Sequence, residues 1–173
     1  MQQAQEANFY TKSGLLTAQK SDGWIQLNFP ATPAEKTEAP KELNEALNVK
    51  PIYIGKNIFD FLVEVDSEET VKNIQPDFTK LLQVQTRGVI VTARSSEYDF
   101  ISRFFAPEVG IFEDPVTGSA HCCLGPYWQK KLGKDSFTAY QASQRGGVLK
   151  VQVAGERVLI SGKAVTVLEG DLL

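Results

Sequence analysis

One stretch of this sequence has helical periodicity strong enough to stand alone, and most of the remainder alternates like strand. From Thr117 onward, Ala120, Cys123, Leu124, Tyr127 and Trp128 recur at i, i+3, i+4, i+7 and i+8, the spacing of a helix face directed at a core. Lys130 and Lys131 suit the negative end of its dipole, and Gly133 is placed to end it in the left-handed conformation. Pro126 falls inside this helix and removes the backbone bond to the Cys122 carbonyl, at an interior cost of about 3 kcal/mol that tertiary packing has to offset. The pattern predicts one kinked helix rather than two. A single strong helix among many strands implies an α+β fold, a curved, barrel-like antiparallel sheet wrapped around a central helix, rather than a βαβ array.

The strand signals fall in groups. Phe9–Lys12 and Leu15–Gln19, separated by Ser13-Gly14, read as a hairpin. Ser21-Asp22-Gly23 then leads into Trp24–Phe29. Pro30, Pro33 and Pro40, mixed with charged residues, predict a connector over 30–40. Beyond it come a short helix at Glu42–Leu47, strands at 52–55 and 59–65, a helix start at Asp66–Val71 that Pro76 interrupts, and another short helical stretch at Asp77–Leu82. The β-branched run Gly88–Ala93 predicts a buried strand, and Phe100–Phe105 another. At the end, Val148–Val153, Val158–Gly162 and Ala164–Gly170 read as an antiparallel meander.

Composition removes several function classes. A chain of 173 residues, 42% hydrophobic and 23% charged, can bury a core, and its net charge of −3 with scattered Lys and Arg offers no basic stripe for nucleic acid. No apolar run approaches the roughly 20 residues needed to cross a bilayer, and the first residues lack a signal pattern, so the cytoplasm is the expected location. Cys122 and Cys123 are neighbours with no second Cys/His cluster to complete a metal site, and read as structural thiols. His121 is the single histidine. Nucleotide-binding and hydrolase motifs are absent.

The informative segment precedes the long helix. Asp114-Pro115-Val116-Thr117-Gly118-Ser119 sets a carboxylate, two hydroxyls and a glycine before the helix's first N–H groups, where an anion is favoured and Gly118 lets a ligand come close to the backbone. Read locally, the same residues can also serve as a helix cap without any ligand.

The run Ser102-Arg103-Phe104-Phe105-Ala106-Pro107, then Gly110-Ile111 and Glu113-Asp114-Pro115-Val116-Thr117-Gly118-Ser119-Ala120-His121, is similar to the signature of the phenazine-biosynthesis PhzF-like family. Pro126-Tyr127-Trp128 and Gln144-Arg145-Gly146-Gly147 match it too, and weaker similarity covers nearly the whole chain. The resemblance implies a diaminopimelate-epimerase-like fold of two similar halves with the active site between them. It also implies isomerisation by proton transfer on a small carboxylate-bearing substrate, with no cofactor and no metal. Asp114 would be the catalytic residue contributed here, orienting partners and staying ionised. Thr117, Gly118, Ser119, His121 and Arg145 would bind substrate, with Arg145 lining the cleft, although His121 can equally pack. Arg103 can meet a substrate carboxylate or pair with a local acid, and Trp24 reads as core or as packing between halves.

The family's Asn-x-Ser-Glu-Thr and Cys-Gly-His-Ala stretches, which belong to its N-terminal half, do not occur in these residues. Ser67-Glu68-Glu69-Thr70 echoes the first but reads as a solvated helix start. The expected organisation is therefore a hairpin at 1–29 resembling the closing strands of a missing half, a linker at 30–40 and a C-terminal PhzF-like domain at 41–173. Such a chain is expected to lack activity alone and to associate, either with itself as a homo-oligomer or with a complementary N-terminal half. The alternative is a non-enzymatic module that keeps the anion pocket for a small ligand or for protein interaction. Neither nucleic acid nor membrane is an expected partner.

Overall fold

A computed structural model of the chain describes residues 6–12 and 14–170. Its strands are β1 (Glu6–Thr11), β2 (Gly14–Ser21), β3 (Trp24–Pro30), β4 (Glu35–Lys36), β5 (Tyr53–Lys56), β6 (Asp60–Glu64), β7 (Gly88–Arg94), β8 (Phe100–Phe105), β9 (Ser136–Gln141), β10 (Gly147–Ala154) and β11 (Arg157–Gly162). The helices are α1 (Lys41–Leu47), α2 (Glu68–Asn73), α3 (Phe78–Leu81) and α4 (Gly118–Leu132). All the strands join one sheet in the order β1-β2-β3-β11-β10-β9-β8-β7-β6-β5-β4.

That order corrects the expected sheet in three ways. It is open, with β1 and β4 at its ends, rather than closed. It is mixed, because β6 with β7 and β8 with β9 are parallel pairs. Parallel neighbours need a crossover, and these carry helices: α2 and α3 lie between β6 and β7, and α4 lies between β8 and β9. Finally, Ala164–Gly170 is exposed and irregular, and the third strand of the terminal meander is β9 instead.

The two crossovers cover opposite faces of the central strands. Leu62, Ile90, Phe100 and Phe104 pack with α4, whereas their sequence neighbours Phe61, Val63, Val89, Val91, Ile101 and Phe105 pack in a second cluster with residues of α1, α2 and α3. Burial on both faces is why Gly88–Ala93 is an uninterrupted apolar run apart from Thr92. The first strands follow their turn chemistry. Asp22 and Gly23 both have positive φ, 50° and 76°, and Ser21 pairs with Trp24, the geometry that lets a two-residue turn match strand twist. Of the first turn, Ser13 lies outside the described residues. β3 pairs with β11 from Ile25–Gly162 to Pro30–Arg157, so the N-terminal strands extend the same sheet.

Helix α4 runs unbroken through Pro126, which is buried. The Cys122 carbonyl that Pro126 leaves without an intrahelical partner accepts from the Thr32 N–H at 3.0 Å, so the connector after β3 supplies the missing bond. The Trp128 indole donates to Thr92 Oγ1 (3.1 Å) on β7, and Tyr127 and Lys131 both reach Glu64 Oε2 (2.7 Å each) on β6. At Gly125 a Cβ would stand 3.1 Å from Val153 and 3.3 Å from Val151, so glycine sets how closely α4 approaches β10. These contacts fix where the N-terminus of α4 points.

Candidate active site

The site is built around the loop from Glu113 to the first turn of α4. Arg103, on β8, holds its start: its Nε and Nη2 meet both carboxylate oxygens of Glu113 at 2.7 and 3.0 Å, and Nη1 donates to the carbonyls of Val71, Lys72 and Ile74 at the end of α2. Of the two sequence readings for Arg103, pairing with a local acid is the one seen. Next along the loop, the Thr117 hydroxyl donates to Asp114 Oδ2. Asp114 therefore accepts a hydrogen bond from Thr117.

Gln141, at the end of β9 and 0% exposed, organises the remainder. Its Oε1 accepts from the Thr117 N–H at 2.8 Å, and its Nε2 donates to the Asp114 carbonyl at 2.7 Å and to Thr117 Oγ1 at 3.1 Å. Thr117 is the N-cap residue, but its side chain makes no capping bond because it is committed to Asp114 and Gln141. The first N–H groups of the helix consequently have no side-chain cap. A Cβ on Gly118 would meet only Phe29, at an ordinary 3.7 Å, so the protein's own packing does not demand glycine there.

Ser119 is joined to two residues that the sequence reading did not single out. Arg87 Nη2 donates to Ser119 Oγ at 3.2 Å, and Arg87 Nε donates to Asp60 Oδ1 at 2.9 Å. Asp60 is 0% exposed. The parallel register that sets Asp60 opposite Gly88 brings them together from 27 residues apart, so no local pattern marks the pair. Ser119 and Arg87 line a cavity of about 490 Å³ with Phe29, Pro30, Ala31 and Phe59.

The other expected residues divide. His121 is 0% exposed, with Nδ1 at 2.7 Å from the Thr117 carbonyl and its ring beside Phe100, and burial pushes its pKa down to about 4. It occupies the interior beneath the turn rather than the cavity. Arg145 is exposed and makes no ion pair among the described residues. Its loop is docked to the site: Ser143 Oγ donates to the Pro115 carbonyl at 2.7 Å and accepts from the Gly146 N–H at 3.1 Å. Cys122 and Cys123 are buried, and burial raises both thiols to about 12, which removes them as proton carriers near neutral pH. Glu68 lies on the first turn of α2, where Ser67 caps the helix. Bonds from Ser95 and Ser96, then Lys72, hold its carboxyl down at about 2. It has the character of a paired surface acid. No group of three or more metal-ligating side chains occurs among the described residues, and no helix is long and apolar enough to cross a membrane.

Known proteins resemble this chain in sequence and in fold. An uncharacterised isomerase of Halalkalibacterium halodurans is 56% identical over 172 residues, a match covering 98% of this chain and 65% of that protein. The chain thus spans just under two thirds of the length of this relative. The structure of a phenazine biosynthesis protein of the PhzF family from Enterococcus faecalis superposes with a TM-score of 0.86 at 38% identity, over 93% of this chain and 62% of that one. A PhzC/PhzF protein from Clostridium difficile gives 0.88 at 34% identity, over 98% and 66%. The sequence model of the family described as phenazine biosynthesis-like protein (PhzC-PhzF) matches residues 1–170, and the chain belongs to that family.

Proposed function

We propose that this chain is the C-terminal part of a cofactor-independent isomerase that moves a proton on a small carboxylate-bearing metabolite, with its sheet curved around α4 as one half of a two-half enzyme. The observation that carries this reading is the Asp114–Thr117–Gln141 network, which consumes the cap side chain and leaves the first N–H groups of α4 uncapped. Proton removal beside a carboxylate builds negative charge, and donors already held in place stabilise that charge without reorganising during the step. Asp114 orients Thr117. Gly118 and Ser119 hold the substrate anion, and the exposed Arg145 borders it.

The proton carrier has to come from elsewhere. Burial leaves His121 far too acidic and both cysteines far too basic for a proton to be exchanged near neutral pH. A Glu from a segment corresponding to the relatives' remaining length fits the requirement, and the chain alone is then inactive. Either a matching N-terminal half or a second copy of this chain would cover the cleft.

The test is solvent deuterium exchange into candidate cyclic hydroxy acids and amino acids. Exchange is expected only after the 173-residue chain is mixed with the N-terminal segment of a full-length relative, and it should fall at least about 100-fold in Asp114→Ala, the lower range for loss of one positioned group. Exchange by the chain alone, abolished in Asp114→Ala, would refute the division of labour. Binding of small anions with no exchange in either preparation would favour the non-enzymatic module instead.

A further inference from the structure

The Asp60–Arg87–Ser119 chain ties β6 to the first turn of α4, and it ends at the cavity. Asp60 is 0% exposed and begins a strand whose other residues are buried and mostly apolar. A carboxylate there is costly unless it is paired, and Arg87 pairs it while its own side chain stays 34% exposed. The guanidinium is held further by aromatic rings, its Cζ lying 4.9 Å from the Phe59 centroid and 5.8 Å from that of Phe104. Two of its nitrogens are used: Nε on Asp60, and Nη2 on Asp60 and on Ser119 Oγ. Among the described residues nothing takes the Nη1 donors.

The direction of the Ser119 bond matters. Arginine has no acceptor, so Ser119 Oγ is obliged to accept from Arg87, and its own proton is left to be donated outward. A serine that can rotate freely offers a ligand either a lone pair or a proton. The bond from Arg87 occupies one of the two Oγ lone pairs and leaves the proton free for a ligand, which is what an anion needs.

We propose that Arg87, locked by buried Asp60, is a substrate-positioning residue that makes Ser119 a hydrogen-bond donor and offers its own Nη1 edge to the same carboxylate. The substrate class follows from the cavity: a carboxylate on a compact apolar body of about ring size, seated against Phe29, Pro30, Ala31 and Phe59. This rests on the function proposed above and deepens it.

The experiment is a titration of the ¹⁵N-labelled 173-residue chain with cyclohexanecarboxylate, acetate and cyclohexanecarboxamide, followed at the Ser119 and Ala120 amides. Cyclohexanecarboxylate is expected to shift both signals and to bind at least tenfold more tightly than either comparison probe. Arg87→Lys keeps the positive charge but loses the fork, and is expected to weaken binding about tenfold. Ser119→Ala should weaken it similarly in the native background and less than twofold in the Arg87→Lys background, a coupling that a purely structural role for Arg87 would not produce. Should Arg87→Lys fail to fold, Asp60→Asn, which frees Arg87 to leave Ser119, is expected to give the same loss and the same coupling. Binding that is lost in Ser119→Ala but unchanged in either positioning variant overturns this inference and leaves the proposed function standing. Absence of any shift at Ser119 and Ala120 with all three probes overturns both.

Discussion

Replacing Gln141 by Leu should unseat the site loop from inside. Gln141 is fully buried and makes three bonds, two of them to the backbone groups Thr117 N–H and Asp114 C=O. Leucine has nearly the same bulk and no polar atom, so both groups would be stranded, at about 1–3 kcal/mol each, or about 2–6 kcal/mol together. Added apolar burial returns on the order of 1 kcal/mol. A net loss of about 1–5 kcal/mol follows, and with a urea dependence of about 2 kcal/mol per molar it lowers the unfolding midpoint by about 0.5–2.5 M. The assay is urea unfolding of both proteins, paired with hydrogen exchange at the Thr117 amide, which should lose protection selectively. A loss below about 1 kcal/mol with Thr117 still protected would refute the claim that Gln141 holds the turn. Gln141→Glu sharpens the test, because it keeps an acceptor for Thr117 N–H but turns an oxygen toward the Asp114 carbonyl, so its stability should recover as the new carboxyl is protonated.

His121 predicts an acid-side loss of stability. Its folded pKa of about 4 lies below the ordinary 6.5, so the unfolded chain binds the extra proton, and this contribution is complete above pH 6.5 and falls away toward pH 4. The loss should amount to about 3 kcal/mol over that window, and His121→Gln should flatten it, as urea unfolding between pH 4 and 7 can check. Gly147→Ala would set a Cβ 2.5 Å from Val116 Cγ2, so a loss of about 1–3 kcal/mol in thermal or urea unfolding is expected, with altered amide signals in the 115–119 loop. The edge strand β1 exposes Phe9 and Tyr10, whereas Trp24 and Leu27 are half-buried. Self-association through that edge at micromolar concentration is expected in sedimentation velocity, and a monomer with or without residues 1–29 would count against it.

Local patterns alone were enough for the elements whose signals are short-range. The helical period and capping residues mark α4, the Asp22-Gly23 pair marks its turn, and the double-sided burial of β7 shows as a β-branched run. The Asp114–Ser119 turn is a local constellation of the same kind, and its resemblance to a known family was readable as a string of residues. Strand pairing was not. Alternation does not say whether two strands run parallel, and so the crossovers through α2, α3 and α4 were hidden behind helices too short or too central to announce them. β9 carries only a weak strand pattern although Phe137 and Ala139 alternate inward, because the next inward residue is the polar Gln141, whose bonds go to the site loop. Ala164–Gly170 has strand-like alternation without a neighbour to pair with.

The site divides in the same way. Asp114, Thr117, Gly118 and Ser119 stand within six residues of one another, and backbone geometry alone puts them at one helix start. Gln141, Asp60 and Arg87 come from β9, β6 and the residue before β7, and only the register of the folded sheet carries them to that turn. His121 shows the limit from the other side: one position on a helix decides between cavity and core, and the rotation of α4 is set by Trp128, Tyr127, Gly125 and the Thr32 bond rather than by anything adjacent to His121. Sequence determined which groups could act at the turn, since their order along the chain is their chemistry. Tertiary structure decided which of them face the cavity and what holds them, because those contacts join residues that no local pattern relates.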